Sequence, residues 1–141
     1  MADHPNREEA LVLLNHYTQS DSLRRHALGV EQAMCKMAEK YGGDVDEWGV
    51  TGLLHDFDYE MYPTLEEHPY KGNKILKDQG YPESICRAIM GHATYSGVPR
   101  DTDMAKALFA VDELTGFIFA VTYVRPSRSI QEVTPRSVKK N

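Results

Sequence analysis

Residues 104–124 read MAKALFAVDELTGFIFAVTYV. Leu108, Phe109, Val111, Leu114, Phe117, Ile118, Phe119 and Val121 leave no helical face polar. A helix apolar all round belongs at the centre of a fold. The rest of the chain shows no convincing strand pair, so the predicted fold is all-α.

Working outward from this helix, proline and glycine cut the chain into helix-length pieces. The first helix spans about Asn6–Gln19, with Leu11, Leu14 and Tyr17 at helical spacing. Ser20-Asp21-Ser22 offers caps for a second, which carries the stripe Leu23, Ala27, Val30, Met34, Met37, Tyr41 and stops at Gly42-Gly43. A third is predicted from Asp46 to Phe57. A fourth opens at His68-Pro69, with proline at its first position, and ends at Gly80. Pro82 precedes a fifth, Glu83–Ala93, and a loop over Ser96–Thr102 leads to Met104–Val124. Arg125-Pro126 breaks the pattern. The predicted organisation is one helical domain over residues 1–125 and a basic, irregular tail over 126–141.

The chain of 141 residues is 41% hydrophobic and 26% charged, the composition of a folded domain with a real core. It has no membrane-length apolar run, and its polar start does not resemble a signal peptide, so the expected location is cytoplasmic. Cys35 and Cys86 are isolated and predict neither a disulfide framework nor a cysteine zinc site. Through residue 124 there are 11 Lys and Arg against 20 Asp and Glu, and beyond it five against one. An acidic body argues against binding duplex nucleic acid. Apolar faces on a small bundle leave a homodimer open.

Several polar residues are misplaced for a plain core. Asp112 interrupts Leu108-Phe109-Ala110-Val111, and a buried carboxylate must be paired, protonated or bound to metal. The ordinary partner would be basic, but the nearest, Lys106, is six positions away and faces elsewhere. His55-Asp56 directly follows Leu53-Leu54, and the two can share a cavity if the helix ends there. By itself such a pair is equally a cap or a surface dipeptide. His26 lies beside Val30 and Met37 on an inner face, where a satisfied core histidine is the ordinary reading. His68 reads as a cap before Pro69, and His92 as a polar helix end. His4 and His16 read as surface residues. Gly29, Gly52, Gly72, Gly91 and Gly116 each lie within about a turn of one of the five candidate positions. Glycine inside a helix costs roughly 0.5–1 kcal/mol against alanine, and close backbone approach around a shared site would explain that cost.

The order His26 … His55-Asp56 … Asp112 resembles the metal signature of the HD-domain superfamily of metal-dependent phosphohydrolases. His68 and His92 extend the resemblance to the six-ligand, HDIG-like form. That form occurs in HD-GYP cyclic dinucleotide phosphodiesterases and in HD-type hydrolases of dinucleoside tetraphosphates. His68-Pro-Tyr-Lys-Gly72 is similar to their H-x-x-x-G helix start, and His92-Ala-Thr-Tyr-Ser-Gly97 to their H-T-x-G region. Leu108-Phe-Ala-Val-Asp112-Glu113 looks like the helix that delivers the last aspartate. The resemblance covers about residues 22–125. The chain lacks a GYP motif, and the lysine that often follows the HD pair is replaced by Asp56-Phe57-Asp58-Tyr59-Glu60.

The resemblance implies an HD-like bundle of about six helices around a central metal site. It implies one ion on His26, His55, Asp56 and Asp112, and a second on Asp56, His68 and His92. Iron, manganese, zinc and magnesium all suit such a nitrogen and oxygen donor set. The implied activity is hydrolysis of a nucleotide or other small phosphate ester by a metal-bound hydroxide. Asp56 would be central to it, with Asp58 or Glu60 orienting water or moving a proton. Lys71, Lys74 and Arg125 are candidate contacts to substrate phosphate, with Arg100 and Arg128 behind them. Two other readings stand beside it: a di-iron HD-type oxygenase, and a non-catalytic metal-stabilised ligand-binding module.

Overall fold

The computed structural model describes residues 6–124, with side chains described through residue 115. The described residues form six helices and no strand: α1 (Arg7–Tyr17), α2 (Asp21–Tyr41), α3 (Val45–Leu54), α4 (Tyr70–Asp78), α5 (Glu83–His92) and α6 (Asp103–Val124). A 3-10 turn, Thr94–Ser96, follows α5. The fold is all-α, as predicted. No described helix is long and apolar enough to cross a membrane. The expected tail over 126–141 lies outside the described residues.

Local chemistry sets most of the boundaries. Asn6, Ser20, Asp44 and Thr102 cap α1, α2, α3 and α6 by accepting hydrogen bonds from first-turn N–H groups that have no partner within their helix. Gly42 ends α2 at φ 74°, a conformation that glycine enters without steric cost.

Two boundaries differ from expectation. α3 stops at Leu54, three residues before Phe57, and a run of turns carries residues 55–61. Phe57, 1% exposed, anchors that run in the core, and its carbonyl accepts from the Thr18 hydroxyl at 3.0 Å. α4 begins at Tyr70, so Pro69 is its cap position and makes no side-chain cap. The Asp58 carboxylate, from the preceding turn, accepts from the Gly72 N–H at 2.9 Å and serves instead.

Among the described residues, the centre of the fold is α3 rather than α6. Trp48 through Leu54 are all buried, and α3 packs against α1, α2, α5 and α6. Described α6 is one-sided: Met104, Ala105, Ala107, Leu108 and Val111 are buried, while Leu114 is 52% exposed. The apolar composition of residues 104–124 therefore does not translate into burial on every face of the described part.

Small residues bring α3 against α2. A Cβ built on Gly52 would lie 2.9 Å from the Val30 carbonyl oxygen and 3.1 Å from the Glu31 nitrogen. Backbone cannot yield as a side-chain tip can, so glycine is required there. This bears out the close approach expected at that position. Glu31, 3% exposed, meets Arg7 of α1 through two hydrogen bonds of 2.6 and 3.1 Å. A buried carboxylate needs such a partner.

Gly52→Ala is therefore expected to force α2 and α3 apart and to lower stability by about 1–3 kcal/mol, the usual cost of overpacking. Urea unfolding followed by circular dichroism checks this, with a lower midpoint expected at an unchanged m value.

Candidate metal centre

Six elements each deliver part of one cluster. α2 supplies His26. His55 is the C-cap of α3, and the turn after it supplies Asp56 and Asp58. His68 stands before α4, His92 is the last residue of α5, and Asp112 lies in α6. The early end of α3 matters here. Successive residues on a helix point about 100° apart, so an uninterrupted helix would turn His55 and Asp56 to different sides.

On one side, Asp112 Oδ1 lies 2.8 Å from His26 Nε2 and 3.0 Å from His55 Nε2. The two imidazole nitrogens face each other at 3.3 Å. Asp56 Oδ2 completes this group, 3.3 Å from His55 Nε2. On the other side, Asp56 Oδ1 lies 3.0 Å from His92 Nε2 and 3.3 Å from His68 Nε2. Each group of donor atoms falls within 4.8 Å, a size that could hold a metal ion. Asp56 belongs to both, one oxygen to each.

The far sides of the rings are also fixed. His55 Nδ1 donates to the Gly52 carbonyl at 2.7 Å, and His92 Nδ1 donates to the Ile89 carbonyl. A carbonyl can only accept, so in both rings the Nδ1 carries hydrogen and Nε2 points to the cluster. His68 Nδ1 lies 2.6 Å from Asp58 Oδ1. Metal-binding histidines are characteristically held this way. Nitrogen and oxygen donors converging at this spacing fit a divalent cation.

The electrostatics are those of protons held where a cation could sit. Burial alone would push His55 down, but Asp56 and Asp112 outweigh it, and its pKa stands well above 6.5. Burial likewise opposes charge on His68, yet hydrogen bonds to Asp56 and Asp58 push it up to about 9. Burial would raise Asp56 and Asp112, and the neighbouring histidines hold both below the usual carboxylate range.

The remaining expected site residues are placed differently. Asp112 is a quarter exposed, less buried than its apolar setting implied. Its partners are histidines rather than a lysine or arginine. Asp58, 1% exposed, has both oxygens engaged, by His68 and by the Gly72 N–H, so it is not poised to orient water or move a proton. Glu60 is also corrected. Its oxygens accept from the Gln19 and Ser20 N–H groups, each at 2.8 Å, tying the turn to the α1–α2 connection. Lys71 and Lys74 are exposed on α4, and among the described residues neither hydrogen-bonds or ion-pairs with the cluster. Lys71 Nζ lies over the Tyr62 ring at 5.9 Å. Arg100 donates to the Gly91 carbonyl and stacks on Phe109, which gives it a structural role. Arg125 and Arg128 lie outside the described residues, as does His4, and His16 is exposed as expected.

Sequence reading missed how the rings are oriented. The Gly52 and Ile89 carbonyls are backbone groups and leave no residue-type signal. The only legible trace of the His68 support is a second aspartate two positions after Asp56.

These pKa shifts give the metal-free protein a defined pH response. The folded pKa of His68 lies above its unfolded value, so its contribution is complete below about pH 6.5 and is lost as pH rises through about 9. The lowered carboxylates act oppositely, stabilising above about pH 4 and failing only in acid. With chelator present, the melting temperature is therefore expected to fall between pH 6.5 and 9.5, and His68→Gln should flatten that slope. The slope should also shrink when Mn²⁺ is added, because ligands must shed protons to bind metal.

Comparison with known proteins gives the family. The HD domain family matches residues 23–116, a span that includes His26, the His55-Asp56 pair, His68, His92 and Asp112. A curated relative, the symmetrical bis(5'-nucleosyl)-tetraphosphatase of Staphylococcus aureus strain NCTC 8325 / PS 47, is 28% identical over 122 residues. That alignment covers 77% of this chain and 61% of the relative, so the chain spans about three-fifths of that protein's length. No solved structure matches significantly. With the family matched over two-thirds of its length and an all-helical fold, this chain belongs to the HD domain family.

Proposed function

We propose that the protein is a binuclear metal-dependent phosphohydrolase acting on a phosphoric ester or anhydride of a nucleotide or similar small molecule. The observation that carries this reading is the division of Asp56 between two donor groups, His26, His55 and Asp112 on one side and His68 and His92 on the other. The chemistry supplied by two bound divalent ions is neutralisation of a phosphoryl group and acidification of water. Manganese, iron, zinc and magnesium remain the candidates from donor type.

The chain's own residues have separate tasks in this proposal. Asp56 fixes the spacing of the two positions. The Gly52 and Ile89 carbonyls keep the Nε2 atoms of His55 and His92 turned inward, and Asp58 does the same for His68. Asp56 and Asp112, each about a quarter exposed, mark the side from which a phosphate group would approach. The tetraphosphatase relative supports an anhydride between nucleotides as the first substrate to try. The choice of a hydrolase over an oxygenase rests on that relative and on the family.

The test uses the whole chain, stripped of metal and reloaded separately with Mn²⁺, Zn²⁺, Mg²⁺ and Fe²⁺. It is offered dinucleoside tetraphosphates, nucleoside monophosphates and glycerol phosphate, with product phosphate measured. Hydrolysis of at least one class is expected, and Asp56→Ala should reduce it by more than about 100-fold, beyond what loss of a supporting residue causes. Fully loaded protein that hydrolyses none of them, or an Asp56→Ala protein that keeps its rate, would overturn the proposal.

A further inference from the structure

The two halves of the cluster are built unequally. The half formed by His26, His55, Asp56 and Asp112 has two carboxylates among its donors. The half formed by Asp56, His68 and His92 has only its share of Asp56. Negative charge near that second half comes instead from behind one ring, where Asp58 Oδ1 lies 2.6 Å from His68 Nδ1. His55 and His92 are backed by neutral carbonyls of their own helices.

His68 needs this support because it lies outside any helix. It precedes α4, whose first residue is Tyr70. Three groups hold it. Asp58 takes the ring nitrogen. The Tyr95 hydroxyl, in the turn just after His92, donates to the His68 carbonyl at 2.6 Å. The Tyr59 ring stands edge-on to the imidazole at 5.5 Å. Asp58 in turn is locked by the Gly72 N–H, and a Cβ on Gly72 would lie 2.7 Å from Asp58 Oδ2. Only glycine at 72 leaves room for the carboxylate.

We propose that Asp58, assisted by Tyr95, is the positioning residue for the Asp56–His68–His92 half, so that a second divalent cation depends on it while the first does not. This rests on the reading of the cluster as a cation site and is independent of the substrate. A carboxylate behind an imidazole fixes its tautomer and orientation and raises its basicity. Asparagine cannot replace it. Asp58 accepts two N–H bonds on two oxygens, whereas an amide offers one acceptor, and its NH₂ would face a second donor.

The test uses the full chain and Mn²⁺ as the only probe, with metal content after desalting, calorimetric titration and electron paramagnetic resonance. The parent is expected to bind two ions with an exchange-coupled signal. Asp58→Asn should keep the first ion at its parental affinity and bind the second about 10- to 100-fold more weakly, with an uncoupled signal. Tyr95→Phe removes one oxygen from a ring that is 46% exposed, and should weaken the same ion to a smaller degree. If Asp58→Asn does not fold, Tyr95→Phe decides. Parental affinity for both ions in the folded variants, or parallel loss of both, overturns the proposal, because a general structural role would not discriminate between them. A parent that binds only one ion overturns it as well. A parent that binds two ions but hydrolyses no phosphoester leaves this inference standing and removes the proposed reaction.

Discussion

The carboxylate of Asp56 lies between two sets of imidazoles, and most of the structure can be understood as what is needed to keep it there. Each oxygen faces a different set, at 3.0 to 3.3 Å. Ionised groups taken out of water carry a large desolvation cost, which is recovered only when opposite charge is close and hydrogen bonds are satisfied. The histidines answer that need: Asp56 and Asp112 push the pKa of His55 up, and hydrogen bonds to Asp56 and Asp58 push that of His68 up. A divalent cation would meet it with more charge in less space.

Holding four imidazoles and two cluster carboxylates in one place requires the backbone to approach closely and to stop abruptly. Gly52 allows α3 to lie against the backbone of α2, which sets His26 against His55. The end of α3 at Leu54 lets His55 and Asp56 face the same cavity. The turn that follows is held at several points: Phe57 in the core, its carbonyl on Thr18, Asp58 on α4, and Glu60 on the α1–α2 connection. Such a segment, made rigid by its neighbours rather than by its own helix, suits precise placement of ligand atoms.

The donor set also bears on chemistry. Carboxylates and imidazoles leave the metal choice open, and no described lysine or arginine hydrogen-bonds or ion-pairs with the cluster. In the proposed reaction, phosphate recognition therefore falls first to the ions and only then to side chains around the opening. The asymmetry between the two halves, one rich in carboxylate and one backed by Asp58, would let the two positions differ in affinity.

The sequence by itself determined a great deal. Helical spacing, caps and glycine stops gave six helices close to their observed limits, because those signals act within a few residues. The candidate ligands were legible because histidine and aspartate are out of place on apolar faces, and their order resembles a known family. What only the tertiary structure decided depends on groups distant in the chain or carrying no side-chain signal. Among the described residues it placed α3 rather than α6 at the centre, since burial is set by what packs around a helix and not by its composition alone. It made Asp58 a support for His68 and Glu60 a clamp on the α1–α2 connection, because a carboxylate's role follows from the N–H groups that reach it. It paired Arg7 with Glu31 across 24 positions. It also divided the oxygens of Asp56, a matter of ångströms that no residue spacing encodes.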